Sequence, residues 1–274
     1  MTENSAGCAA GNGAPAFLEL HDAVVRRAGR AILSIDSFTL PEGESIALLG
    51  PNGSGKSTFI NLMTREVHPL HRDVPPVLFR GNERTTLAEV KRCLGIVSSS
   101  MQSQITVHLP AVEVVIGGLF GALGVPKRYE VSESQRRAAL DTMDELGIAD
   151  LADRDVMTLS TGQARRVLFA RSLVHNPDVL VLDEPCTGLD PEGMYYVRKT
   201  MRMLAQSGRA IILVTHYPED IIPEIKRLVL IKEGKMFDDG PKSELLTSER
   251  MTALFDVPLE VAQSGDYYTL VARY

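Results

Sequence analysis

The chain has 274 residues, 44% of them hydrophobic and 23% charged, with a formal net charge of −6. That length buries one large core or two modest ones, and the acidic balance argues against direct nucleic-acid binding, which calls for a basic face. Cys8, Cys93 and Cys186 are odd in number and share no metal-ligand or redox spacing, which suits a reducing cytosol rather than a disulfide scaffold.

Residues 1–15 lack both a basic start and an apolar h-region, so they read as a disordered tail and not as a signal peptide. Phe17 to Val25 alternates apolar and polar residues as a half-exposed strand does, and Ile32 to Leu40 repeats the pattern before Pro41, Glu42 and Gly43 stop it. The two make an antiparallel flap leading into Ser45 to Leu49, a short continuous apolar run that reads as a buried parallel strand.

GPNGSGKST follows at once, and it reads as a phosphate cradle built from Gly50, Pro51, Asn52, Gly53, Ser54, Gly55, Lys56, Ser57 and Thr58. Its glycines let successive N–H groups turn toward phosphate oxygens, and the helix behind adds its positive end. Lys56 would reach the β- and γ-phosphates, and the Ser57 hydroxyl would sit on Mg²⁺. The full spacing, between a β-like run and the helix-compatible FINLM, separates it from a chance Gly-Lys-Ser in a surface loop.

Glu66 to Pro76 is Pro-rich and loop-like; His68 and His71 within it have no third ligand and are surface residues rather than a metal pair. Leu87 to Cys93 reads as a short helix and Gly95 to Val97 as a strand end. Helical patterns then take over, with Ala111 to Leu123 followed by Ser132 to Leu146, the latter opened by Ser132 and Gln135 in capping-box spacing and stopped by Gly147. The apolar stretch Leu109 to Val125 carries Glu113 and several glycines and is too short for a bilayer span of about twenty apolar residues. It is either an apolar surface for a partner or the core of the helical insert.

An α/β rhythm returns with a helix from about Gly162 to His175, a strand over Val179 to Leu182, a helix over Pro191 to Gln206 and a strand over Ala210 to Val214. Leu228 to Lys232 and Lys235 to Asp238 form a hairpin. Ser243 to Phe255 reads as a helix, and Val257 to Tyr274, turning at Ser264, Gly265 and Asp266, as a terminal β element. In VLVLDEP the apolar run ends in two carboxylates, placing them at the carboxyl end of a buried strand, where ligands bind in an open α/β sheet. Asp183 is placed to hold Mg²⁺ and Glu184 to act on attacking water as general base. In LSTGQ, Ser160 is a natural N-cap and Gly162 lets a backbone approach closely.

Over about residues 17 to 240, five ordered motifs resemble those of the nucleotide-binding subunit of ATP-binding cassette (ABC) proteins. GPNGSGKST is similar to the Walker A loop, LSTGQ to the signature motif, VLVLDEP to the Walker B strand, TGLDP from Thr187 to Pro191 to the D-loop, and VTH ending in His216 to the switch histidine. The resemblance implies an α/β P-loop fold of ABC type: a mostly parallel core sheet, an antiparallel β flap and a helical subdomain inserted at about 98–160. The ATPase domain would span 16–255, with a β-like extension over 256–274. It implies ATP and Mg²⁺ as cofactors, Lys56, Glu184 and His216 as catalytic residues, and Ser57 with Asp183 as metal ligands.

The resemblance also implies a head-to-tail dimer with a second cassette, a homodimer by the simplest assignment. Ser160, Thr161, Gly162 and Gln163 of one subunit would then face the γ-phosphate held by Lys56 of the other. Ser98, Ser99 and Ser100 stand where the family's Q-loop glutamine is usual, and Gln102 and Gln104 come later. Arg27 stands at the position of the usual adenine-stacking aromatic, free to stack or to face solvent. The VSSSMQSQ segment, LSTGQ in place of LSGGQ, and DEPCTGLD are together more similar to a soluble branch of cassettes, related to molybdenum-associated and photorepair-like ATPases, than to typical importers. Two roles follow as expectations: the ATPase subunit of a transporter, cytoplasmic and peripheral on the inner membrane face beside separate membrane-spanning subunits, or a soluble ATPase that remodels another macromolecule.

Overall fold

Residues 16–273 are described by the computed structural model, so the tail expected over 1–15 lies outside the described residues. β1 (Ala16–Arg27) and β2 (Arg30–Pro41) form a long hairpin whose two-residue turn, Ala28 and Gly29, has both φ angles positive, as the twist of paired strands favours. β3 (Ile46–Leu49) is buried at every position and runs through the 50–55 loop into α1 (Lys56–Met63). β4 (Val77–Phe79), pairing with β1, was not anticipated: three residues after Pro75 and Pro76 carry no alternation to detect. α2 (Leu87–Cys93), opened by a Thr86–Glu89 capping box, and β5 (Leu94–Ser98) follow.

The helical segment holds α3 (Met101–Gln104), α4 (Ala111–Gly117) and α5 (Glu133–Glu145). The single helix expected over Ala111 to Leu123 is shorter. α4 gives way to a 3₁₀ turn over Gly118–Phe120 and stops at Gly121, whose φ is +66°. A Cβ on Gly118 would lie 2.1 Å from the Arg171 carbonyl oxygen, so only glycine allows this close seating. α4 is core, with Val112, Val114, Val115 and Ile116 buried, so this part of the apolar stretch packs inward, while 118–125 are partly exposed. α5 keeps the expected Ser132–Gln135 capping box and ends before Gly147 at φ +62°.

Next come α6 (Thr161–Leu173), β6 (Val179–Asp183), α7 (Pro191–Gln206), β7 (Ala210–Thr215), β8 (Arg227–Lys232) and β9 (Lys235–Pro241). The helix expected from Ser243 to Phe255 is two pieces, α8 (Lys242–Leu245) and α9 (Ser248–Phe255), because the Thr247 side chain accepts from Arg250 N and starts a new helix there. β10 (Leu259–Ser264) and β11 (Tyr267–Ala272) make a separate two-stranded sheet, the terminal β element expected from the sequence.

The nine-stranded sheet has the order β4-β1-β2-β9-β8-β3-β7-β6-β5, and its section from β8 to β5 is parallel throughout. Period-2 alternation sorts these strands between two cores. Ala47, Leu49, Leu180, Leu182, Ile211 and Leu213 face the layer containing α4 to α7. Ile46, Leu48, Val179, Val181, Ile212 and Val214 face α1 and the flap. Burial on both faces is why these strands read as unbroken apolar runs. Leu49 pairs with Thr215, Asp183 with Val214 and Ser98 with Asp183, so the carboxyl ends of β3, β7, β6 and β5 are level.

Candidate active site

Register alone brings Gly50, His216, Glu184 and Ser99 out of the sheet side by side. The cradle is seated tightly: a Cβ on Gly50 would lie 2.1 Å from the Ile231 carbonyl oxygen, and Gly234 N donates to Ser54 O at 2.8 Å. Gly55, with φ +109°, is the N-cap of α1 and supplies no side chain to cap it, which leaves the first-turn N–H groups for an anion. Lys56 is buried, and its Nζ donates to the Gly50 and Pro51 carbonyls at 2.7 and 2.9 Å. Burial lowers its ammonium from the ordinary lysine range, against the opposing charges of Glu184 and Asp183.

Asp183 ends β6, where burial and then the neighbouring Glu184 push its carboxyl up, opposed by Lys56. A carboxylate held at such cost suits a cation. Among the described residues no cluster of three or more His, Cys, Asp or Glu could hold a metal unaided. Ser57 and Asp183 fit Mg²⁺ on those terms, because that ion keeps waters and takes phosphate oxygens with one or two protein ligands. Both residues line a cleft of about 720 Å³, together with Ser98, Ser100 and Gln104. Gln102 does not line it; that residue faces a second cavity with Ser99 and Thr161.

Glu184 adopts φ +51°, a left-handed conformation that is strained for a non-glycine residue. Glu184 N donates to Val214 O at 2.8 Å, and its own carbonyl accepts from Thr187 N at 3.2 Å. The side chain is thereby turned toward His216, whose Nδ1 lies 3.1 Å from Oε1; Thr187 Oγ1 donates to Oε2 at 3.4 Å. His216 is fixed by residues that the sequence reading missed. Asp220, 2% exposed, accepts from Thr215 Oγ1 at 3.1 Å and from Arg198 Nη2 at 2.7 Å, while Tyr217 N donates to Thr215 Oγ1 at 3.0 Å. Arg198 and Asp220 stand 22 positions apart and carry no local pattern.

Lys56, Asp183, Glu184 and His216 therefore form one cluster, and Ser160 to Gln163, at the start of α6, do not line the cleft that holds Ser57 and Asp183. Ser160 caps that helix, its Oγ accepting from Gln163 N at 3.2 Å and its N–H donating to Gln163 Oε1 at 3.1 Å. Gly162 does admit a close backbone: a Cβ there would lie 3.1 Å from Gly193 Cα on α7. Arg27 is exposed at the tip of the flap. No helix among the described residues is long and apolar enough to cross a membrane.

Comparison with known proteins identifies the family. The ABC transporter family model matches residues 33–187. The chain is 33% identical over 254 residues to the uncharacterized ABC transporter ATP-binding protein YlmA of Bacillus subtilis, covering 91% of this chain and 95% of that one. It is 32% identical to the hemin import ATP-binding protein HmuV of Bradyrhizobium diazoefficiens, over 87% of this chain and 88% of the relative. Among solved structures, CbiO1 from Clostridium perfringens, described as part of the ABC transporter complex CbiONQ, superposes with a TM-score of 0.72 at 26% identity, over 87% of this chain and 94% of the other. The chain belongs to the ATP-binding proteins of the ABC transporter family.

Proposed function

We propose that this chain is the ATP-hydrolysing subunit of an ABC transporter, working as a head-to-tail dimer that closes on ATP. The observation carrying the catalytic part is the Glu184–His216 hydrogen bond at the ends of neighbouring strands, beside Lys56. On this reading Lys56 exchanges its carbonyl partners for β- and γ-phosphate oxygens, and the N–H groups of the 50–58 loop donate to the same phosphates. Ser57 and Asp183 hold Mg²⁺, which when bound neutralises phosphate charge. Glu184 takes the proton of the attacking water. His216 donates from Nδ1 to fix that carboxylate, with the imidazole used as a positioned donor beside the γ-phosphate.

The signature residues Ser160, Thr161, Gly162 and Gln163 support the dimer because none of them lines the cleft of their own subunit, which leaves them for a second subunit's γ-phosphate. Membrane-spanning partners are inferred from relatives described as hemin import and CbiONQ transporter components. The experiment is to tag the Glu184→Gln variant, trap it with ATP and Mg²⁺ in native lysate, solubilise gently and identify what co-purifies. A polytopic membrane protein in stoichiometric amount is the expected result. Recovery of soluble proteins alone with a confirmed dimer would replace the transporter role with that of a soluble remodelling ATPase.

A further inference from the structure

Arg165 lies on α6, one turn beyond the signature residues. It is 2% exposed, yet its Nε and Nη1 find no hydrogen-bond partner among the described residues. Gln102, on α3, has a buried Oε1 that is equally unpartnered. Both residues line one cavity of about 720 Å³ between the 99–106 segment and the start of α6, and α3 packs against α6. No carboxylate among the described residues lines it. A buried guanidinium without a partner is costly, and so is an orphaned amide oxygen. Nε, Nη1 and Oε1 are each shielded by their own surroundings in this arrangement. Donors and acceptor satisfy each other once the segment that carries Gln102 moves toward α6.

That segment has two faces. Ser98, Ser100 and Gln104 line the cleft with Ser57 and Asp183, whereas Ser99, Gln102 and Ser103 line the cavity with Arg165. Anything that draws the first face inward also moves the second. The geometry points to Gln102 and Arg165 as a positioning pair: when ATP and Mg²⁺ occupy the cleft, the 98–106 segment closes the cavity and Gln102 Oε1 accepts from the Arg165 guanidinium, tying the signature helix to the nucleotide site. The inference rests on nucleotide binding in that cleft as proposed above. Arg165 and Gln102 touch neither nucleotide nor metal. They act through where they place Ser160 and the 98–104 segment.

The test is a double-mutant cycle with Arg165→Met, Gln102→Met and the pair together, read as kcat, KM for ATP and melting temperature with and without ATP and Mg²⁺. Each single variant should lower kcat about tenfold, the worth of a charge-assisted hydrogen bond, with KM little changed. The double variant should be no slower than either single one. Without nucleotide, Arg165→Met should melt no lower than the parent, because it removes an unpaired buried charge. Gln102→Glu, which keeps an acceptor, should retain kcat within about twofold. A double variant slowed about a hundredfold, or a Gln102→Met protein with parental kcat, would overturn the pair; the Gln102 variants decide the matter even where Arg165→Met does not fold. A parent that ATP and Mg²⁺ do not stabilise overturns the nucleotide reading and the pair together, whereas a stabilised parent with independent variants overturns the pair alone.

Discussion

Gly50→Ala tests whether the phosphate loop owes its position to its seat on β8. The new Cβ would stand 2.1 Å from the Ile231 carbonyl oxygen, 3.2 Å from its carbon and 2.9 Å from Ser54 Oγ. The hydroxyl can rotate away, but the carbonyl belongs to β8, which is held between β3 and β9, and cannot. Because a Cβ does not settle within 3.0 Å of such an atom, the loop must lift by about 0.9 Å. Overpacking of this kind costs about 1–3 kcal/mol, or about 2–12 °C in melting temperature for a chain of this size. Displacing the loop N–H groups by nearly an ångström lowers turnover by about a hundredfold. Gly43→Ala is the control: its φ of +75° imposes left-handed strain of about 1–2 kcal/mol, but its Cβ meets nothing within 4 Å. Scanning calorimetry without nucleotide and ATP titration of both variants separate strain from displacement. Parental stability and ATP affinity in Gly50→Ala, or equal loss of ATP binding in Gly43→Ala, would refute the reasoning.

Glu184→Gln should bind ATP and lose turnover by about 10²- to 10⁴-fold, the range for a general base, and parental phosphate release would remove Glu184 from that role. His216→Ala should slow phosphate release about tenfold or more while leaving KM for ATP nearly intact, since the ring holds the base rather than the bulk of the nucleotide; a rise in KM with kcat unchanged would argue for a binding role instead. Burial pushes the Cys186 thiol from 9.0 up to about 12, so the folded chain keeps this proton after the unfolded chain has lost it. Stability from this group is complete below pH 9.0 and declines as pH rises toward about 12, with a slope of about 1.4 kcal/mol per pH unit in that window. Denaturant unfolding of the parent and Cys186→Ala at several alkaline pH values should show the shallower decline in the variant, and parallel curves would contradict the assignment.

The parts of the fold that could be read from the chain are those in which local pattern and burial agree. Ile46 to Leu49 and Val179 to Leu182 are continuous apolar runs because both faces of their strands are covered. Ser132 with Gln135 and Ser160 with Gln163 are caps made by residues three positions apart, so their chemistry is visible in the sequence. β4 escaped notice because its pairing with β1 is its only signal. The break of the Ala111 to Leu123 helix depends on Gly118 meeting Arg171, a tertiary approach without a local mark. Asp220, Arg198 and Thr215 were missed for the same reason, as was the burial of Arg165, which in a helix rich in arginine looks like an exposed charge. Glu184 could be named from VLVLDEP, but nothing in that run announces its positive φ.

Strand order determines how these residues meet. In the chain the cradle after β3 comes first, the carboxylates of β6 follow, and His216 comes last; in the sheet β7 lies between β3 and β6, so the last arrival stands in the middle. Its level is set by its own core residues. Ile211 and Leu213 face the helical layer while Ile212 and Val214 face α1 and the flap. A slip of one residue along β7 would send each to the opposite core and would carry His216 about 3.3 Å along the strand direction. Because the slip also turns the His216 side chain to the opposite face, the 3.1 Å contact between Nδ1 and the Glu184 carboxylate is lost. The Asp220 contacts to Thr215 and Arg198 then hold the strand end against local fraying. The contact between base and histidine is thus specified chiefly by aliphatic residues that touch neither, because a sheet buried on both faces admits one register and the chemistry is attached where that register ends.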